Sequence, residues 1–333
     1  MKTLVELHLH LDGSLRLPTM LEIAEAENTR LPAKTEADLR RALACGKIRD
    51  SLPQYLEHFA HTTSVMQSRT ALTRVATELL EDCAADGLRY VEVRFMPSLH
   101  TSGGLAEEEV MEAVLEGMTI GGLRHDLGWG LIVCSMRHVD PAVTGRMVDL
   151  AIRYRRNGVV AVDLAGDDNI EAYAHATHFQ RAKHAGLHVT IHAAEAGPPE
   201  RIREAIDLFR ADRIGHGTRG PEDPSVVEMA WMRGVGFEAC LTSNLQTKTV
   251  ASYSAHGARE YARKGMYVCL NTDNRMLADT TMHRELALAK LHWELDDVGV
   301  RRLAWNAIEM SFATDATKTA LHEELRAVDP PNP

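Results

Sequence analysis

Short runs rich in β-branched and aromatic residues alternate along this chain with longer stretches in which apolar residues recur every three or four positions. Eight of the short runs are predicted as strands: Thr3–His8, Tyr90–Phe95, Gly130–Ser135, Val159–Leu164, His188–His192, Arg213–Gly215, Gly236–Cys240 and Tyr267–Asn271. Strands separated by helical stretches imply a parallel sheet wrapped by helices. Eight is the number that closes such a sheet into a barrel. The expected fold is therefore α/β, a single (β/α)8 TIM-type barrel forming one domain over residues 1–333. An open doubly wound sheet is the alternative, but the G-x-G-x-x-G turn typical of its dinucleotide-binding form is missing.

The interval between the first two strands is far longer than one crossover helix requires, so it is predicted to carry extra helices. Within it Leu52, Tyr55, Leu56 and Phe59 fall at i, i+3, i+4 and i+7, one apolar face of a helix. That face either packs on the barrel or covers a substrate. The last residues, Val328-Asp329-Pro330-Pro331-Asn332-Pro333, are expected to fray.

Composition narrows the classes. Acidic residues outnumber basic ones 47 to 37, a formal charge of −10, which opposes sequence-independent nucleic-acid binding and an anionic membrane partner. Five cysteines, scattered and without a C-x-x-C pair, suit neither a disulfide framework nor a thiolate metal site. The N-terminus lacks the apolar core of a signal peptide, and no run is long and apolar enough to span a bilayer. A cytoplasmic protein is expected.

The chemistry lies where polar residues interrupt the strand ends. Strand one closes with His8-Leu9-His10 and then Asp12, and alternate residues of a strand point the same way. Strand five ends in His192 with Glu195 three residues on, strand six in Gly215-His216-Gly217, and strand eight in Asn271-Thr272-Asp273-Asn274. Each has a bland reading as a satisfied histidine, a helix cap or a turn. Together they gather at one rim, the rim where barrel enzymes carry their chemistry. Three imidazoles and a carboxylate suit Zn2+, so His8, His10, His192 and Asp273 are expected to hold one zinc ion per chain, with Glu195 and His216 left for proton transfer. Zinc would lower the pKa of a bound water to about 7. Two-metal hydrolases that resemble such a barrel usually bridge their metals with a modified lysine at the end of strand four. That end reads Asp163-Leu164-Ala165-Gly166-Asp167-Asp168.

These segments, with Tyr90-Val91-Glu92-Val93-Arg94-Phe95 and Cys240-Leu241-Thr242-Ser243-Asn244, resemble the adenosine deaminase family along nearly the whole chain. The resemblance implies hydrolytic deamination of adenosine and 2′-deoxyadenosine. It makes Glu195 the acid for purine N1, His216 the residue that orients a metal hydroxide, and Asp273 both ligand and hydrogen-bond acceptor. His10 and Asp12 would lie against the substrate, Asp12 on ribose hydroxyls. Gly166 would offer its backbone N–H to N3, where a side chain would obstruct. Leu52, Tyr55, Leu56 and Phe59 would form an apolar lid. The implied partner is a small purine nucleoside.

The family more often has a second Asp followed by Pro where this chain has Asn274-Arg275. An Asn amide can donate to N7 at every pH. Arg275 is either a surface arginine paired with a nearby carboxylate or a cation that attracts a negative group on a larger substrate such as aminofutalosine. Free adenine is a further candidate, as are another metal hydrolase acting on an ester or cyclic amide and a non-catalytic nucleoside binder.

Overall fold

A computed structural model of the protein describes residues 4–328; Thr3 and the end of the expected fraying tail lie outside them. The eight expected strands form one parallel sheet in chain order: β1 (Leu4–His10), β2 (Leu88–Phe95), β3 (Gly128–Met136), β4 (Val159–Ala165), β5 (His188–Ala193), β6 (Arg213–His216), β7 (Gly236–Ala239) and β8 (Val268–Leu270). Most strands run a residue or two beyond their predicted ends, whereas β7 and β8 are shorter. The change that matters for the site is at β1, which keeps both His8 and His10 inside the strand.

β8 meets β1 at the C-terminal rim. Leu9 bridges to Asp273, with His10 N donating to Asp273 O at 2.7 Å and Asp273 N donating to His8 O at 3.0 Å. Below that bridge the Asn271 side chain accepts the Leu7 N–H at 2.8 Å, standing in for strand backbone. The rim is therefore stitched together by the residues expected to do the chemistry.

Between β1 and β2 lie α1 (Leu17–Ala26), α2 (Glu36–Ala42), α3 (Leu52–Leu56), α4 (Phe59–Ser64) and α5 (Arg69–Ala85). α5 starts where the Ser68 hydroxyl accepts from Ala71 N, a typical N-cap. Its buried stripe includes Leu72, Val75, Leu79 and Cys83. It crosses the helix Glu107–His125 at Gly117, where a Cβ would come within 2.4 Å of the Thr73 carbonyl. The single helix expected over Leu52–Phe59 is instead two. Glu57 and His58 keep helical dihedrals between α3 and α4, so the four apolar residues still share one side.

The lower interior of the barrel is charged. Arg94 donates to Asp163 (3.1 Å), Glu238 (2.9 Å) and the Leu7 carbonyl (2.6 Å). Arg213 donates to Glu92 (2.5 Å), Glu238 (2.6 Å) and the Met310 carbonyl (2.9 Å), and its guanidinium lies 3.6 Å from the Phe312 ring centre. All five side chains are buried. They occupy alternate positions such as Glu92 and Arg94, the inward face of a strand.

Buried charges are tolerated because each has partners, and removing one member leaves the others desolvated and unpaired. Arg213→Met is expected to lower unfolding free energy by about 3–5 kcal/mol, because Glu92 and Glu238 each lose a guanidinium. Urea denaturation of the two proteins at neutral pH measures this. A loss under about 1 kcal/mol would mean the network contributes little.

Candidate active site

The C-terminal rim opens into a cavity of about 820 Å3, its mouth included. Of the residues expected there, His10, Asp12, Leu52, Tyr55, Leu56, Phe59, Gly166, His192, Glu195, His216, Asp273 and Asn274 all line it. His8 lies just beneath, its ring centre 4.6 Å from those of His192 and His216. Leu99, Met136, His138, Ala165 and Ser243 complete the wall without having been singled out. Ser243 had a signal, since it belongs to the Thr242-Ser243-Asn244 segment. His138 had none, being one histidine among 17.

The histidine cluster fits a metal. Nitrogens of His8, His10 and His192 lie within 4.8 Å of one another, and His8 with Asp273 recurs in an overlapping group that includes His216 and Cys240. His10 Nε2 and His192 Nε2 are 3.3 Å apart, and Asp273 Oδ1 is 3.4 Å from His10 Nε2 and 3.5 Å from His8 Nε2. His8 Nε2 is buried with no hydrogen-bond partner, an orphan that a cation would satisfy. The far nitrogens are already engaged: His8 Nδ1 lies 2.7 Å from Glu238 and His192 Nδ1 3.1 Å from Asp163. That carboxylate–imidazole arrangement turns Nε2 inward, as in metal-bound histidines generally. Cys240 is a poorer candidate, its thiol 3.6 Å from the Glu238 carbonyl.

Three strand-end residues in the left-handed region aim this set: Ala194 (φ 52°), His216 (φ 63°) and Asp273 (φ 61°). Such conformations cost about 1–3 kcal/mol each and persist where surrounding bonds impose them. Here Asp168 accepts the N–H groups of Glu195 (2.8 Å), Ala196 (3.0 Å) and Gly197 (2.6 Å), and Thr218 Oγ1 donates to the carbonyls of Ala194 and Glu195. Ser243 Oγ donates to Asp273 Oδ2 at 2.5 Å.

Burial sets the protonation states. Loss of water, with Asp273 and Asp168 nearby, pushes the Glu195 carboxyl well above the usual carboxylate range. Burial likewise raises Asp12 to about 7 and leaves its Oδ1 without a partner. His216 is driven well below the usual imidazole range, first by burial and then by neighbouring histidines.

Gly166 has φ 92°, and a Cβ there would meet nothing closer than 3.6 Å. The protein leaves room for a side chain, so backbone conformation and the approach of a ligand are what favour glycine. Gly13 is different, because a Cβ would fall 1.8 Å from Asn274 Oδ1. Arg275 does not line the cavity. Its guanidinium donates to Asp86 at 2.9 Å and lies 3.6 Å from Glu6, with the side chain only 10% exposed. The carboxylate-paired reading is correct, though the residue is buried rather than on the surface.

Fold and rim together define a hydrolase of the (β/α)8 barrel class, with a candidate metal cluster and a buried acid at one mouth. The match to a family model described as "Adenosine deaminase" covers residues 3–328, and the chain belongs to the adenosine deaminase family, hydrolases of purine amidine C–N bonds. It is 38% identical to an adenosine deaminase of Clostridium botulinum (strain Loch Maree / Type A3) over 325 residues, 97% of each chain. Among solved structures it is similar to an adenine deaminase from Arthrobacter aurescens, with TM-score 0.90, 27% identity and 98% of both chains covered. It is also similar to an Arabidopsis N6-mAMP deaminase, with TM-score 0.88, 28% identity and 98% of both chains covered. No described helix is long and apolar enough to cross a membrane.

Gly13→Ala is expected to displace the Asn274 side chain and lower kcat/KM at least about tenfold, the scale of one misplaced substrate contact. Steady-state kinetics on a metal-loaded variant that melts like wild type checks this. Unchanged kinetics would remove Asn274 from the substrate contacts.

Proposed function

We propose that the protein deaminates adenosine and 2′-deoxyadenosine to inosine and 2′-deoxyinosine, releasing ammonia, with one zinc ion per chain. The observation that carries the substrate reading is Asp12: a buried carboxyl with an unpartnered oxygen, in a cavity that takes the substrate, asks for a hydroxyl donor such as a ribose supplies. Free adenine has no hydroxyl to give. A 5′-phosphate is disfavoured, because the lining contains Asp12, Glu195 and Asp273 but, among the described residues, no lysine or arginine. The same holds for the carboxylate of aminofutalosine, since Arg275 is committed to Asp86 and Glu6.

His8, His10, His192 and Asp273 would hold the zinc, which when bound supplies a Lewis acid that makes water nucleophilic near neutral pH. Leu52, Tyr55, Leu56 and Phe59 cover the base and exclude solvent. The Gly166 N–H meets N3, and the Asn274 amide donates to N7. Glu195, neutral through burial, gives its proton to N1, which drains electron density from C6 so that a water oxygen adds there. His216 lies beside that oxygen and stabilises its charge. The C6–N bond then breaks and the amino group leaves as ammonia; of the two hydrogens the water brings, one goes to that ammonia and the other returns to Glu195, which gave its own to N1.

The test is loss of purine absorbance on adding zinc-loaded protein to adenosine, 2′-deoxyadenosine, adenine, AMP and aminofutalosine separately. Turnover of the first two, abolished by Glu195→Gln, is expected. Turnover confined to adenine or AMP would move the substrate, and no turnover of any would end the reading. Asn274→Asp is expected to keep kcat/KM within about a hundredfold at neutral pH, since a carboxyl buried there rises in pKa and can donate while protonated. Its activity should fall as pH rises through that pKa, a limb absent from wild type. A larger loss at neutral pH would show that N7 recognition needs the amide itself.

A further inference from the structure

His256 lies outside the cavity lining and has no assigned role, yet it stands at the start of a hydrogen-bond chain that ends on both proton-handling residues. The Ala258 backbone N–H donates to His256 Nδ1 at 3.1 Å. A backbone N–H can only donate, so Nδ1 must be the bare nitrogen of a neutral ring and Nε2 must carry the hydrogen. Nε2 lies 3.1 Å from Asn244 Oδ1. That contact fixes the amide: its oxygen accepts from His256, and its nitrogen faces the other way with two hydrogens to give. Asn244 Nδ2 is 3.1 Å from Glu195 Oε1 and 3.1 Å from His216 Nδ1.

Both consequences bear on the chemistry. Glu195 Oε1 accepts from Asn244, so the acid hydrogen belongs on Oε2. His216 Nδ1 also accepts, so its hydrogen sits on Nε2, the nitrogen 3.6 Å from Glu195 Oε2. A nitrogen that already carries a hydrogen cannot take one from Glu195, and the acid proton stays available for the substrate. It can, however, donate to an oxygen developing negative charge.

We propose that His256 is a positioning residue which, through Asn244, sets the tautomer of His216 and selects Oε2 as the proton-bearing oxygen of Glu195. The chain is built to hold one polarity. His256 and Asn244 are buried, and no other side chain donates to Asn244 Oδ1 more closely than His256 does. Burial lowers His256 to about 3, so the ring stays neutral at any working pH and Nδ1 stays an acceptor. With an apolar residue at position 256 the Asn244 amide could turn over. His216 Nδ1 lies only 3.4 Å from Asn244 Oδ1, so the opposite tautomer would then find a partner.

The inference rests on the proposed deamination for its kinetic arm only. The first measurement is the nitrogen spectrum of zinc-loaded protein labelled with 15N-histidine, the His216 signals being identified by their loss in His216→Gln. The expected pattern is a bare Nδ1 and a hydrogen-bearing Nε2. A hydrogen on Nδ1 in the wild-type protein overturns the proposal whatever the substrate proves to be. The second measurement compares His256→Ala and His256→Gln, since a glutamine amide can accept from Ala258 and donate to Asn244 just as the ring does. His256→Ala, with full zinc content, is expected to lower kcat by about ten- to a hundredfold with KM within about threefold, and His256→Gln to recover most of it. Equal kcat in wild type and a folded, metal-loaded His256→Ala overturns the proposal, as does a glutamine variant no better than alanine. Should the alanine variant not fold, the wild-type tautomer and the glutamine variant still decide. If wild type deaminates no purine, the proposed function falls and the tautomer alone tests the relay.

Discussion

Glu238 carries the weight of the barrel interior. Its two oxygens bind Arg94, Arg213, Thr190 and His8, so one carboxylate ties the stabilising network below to the imidazole cluster above. Arg94 reaches across to Asp163, which in turn orients His192. Two of the clustered histidines thus stand on carboxylates that share one guanidinium. In a medium without water such a set is stable only when complete. The closed barrel, with β1 through β8 each contributing to one enclosed space, makes completeness possible.

A second constraint is backbone strain at the rim. Strand alternation carries His8, His10 and His192 inward, but it cannot also aim Glu195, His216 and Asp273 at the same point. The chain leaves β5, β6 and β8 through left-handed residues instead. Asp168, Thr218 and the Leu9–Asp273 bridge hold those turns in place. Strain of this kind is tolerable where many bonds converge, and it yields a site already arranged before substrate arrives.

Arg275 shows why a departure from a family pattern needs the fold to interpret it. On the page it is a cation beside the cavity residues Asp273 and Asn274, and an anionic substrate is a natural thought. In space it turns away to Asp86, which also accepts from Met282 N and His283. It ties the segment after β8 to the C-terminal end of α5, and among the described residues the cavity lining holds no lysine or arginine. That absence, together with Asp12, is what the proposal of a neutral nucleoside rests on.

The sequence by itself determined the fold class, the eight strands and most of the cavity lining, because these are legible in local patterns and motifs. Period-two and period-3.6 patterns report which face of an element is buried, and imidazoles or carboxylates at strand ends are visible as breaks in those patterns. The Leu52–Phe59 face survived even though its helix divides in two, since the linking residues keep helical dihedrals. What only the tertiary structure decided concerns partners far apart in the chain. Glu238 is 230 positions from His8, Arg275 is 189 from Asp86, and Asn244 is 49 from Glu195. Periodicity carries no information about which buried donor meets which acceptor. That pairing appears only when the closed sheet brings the strand interiors within hydrogen-bond reach, and with it come the protonation states on which the chemistry depends.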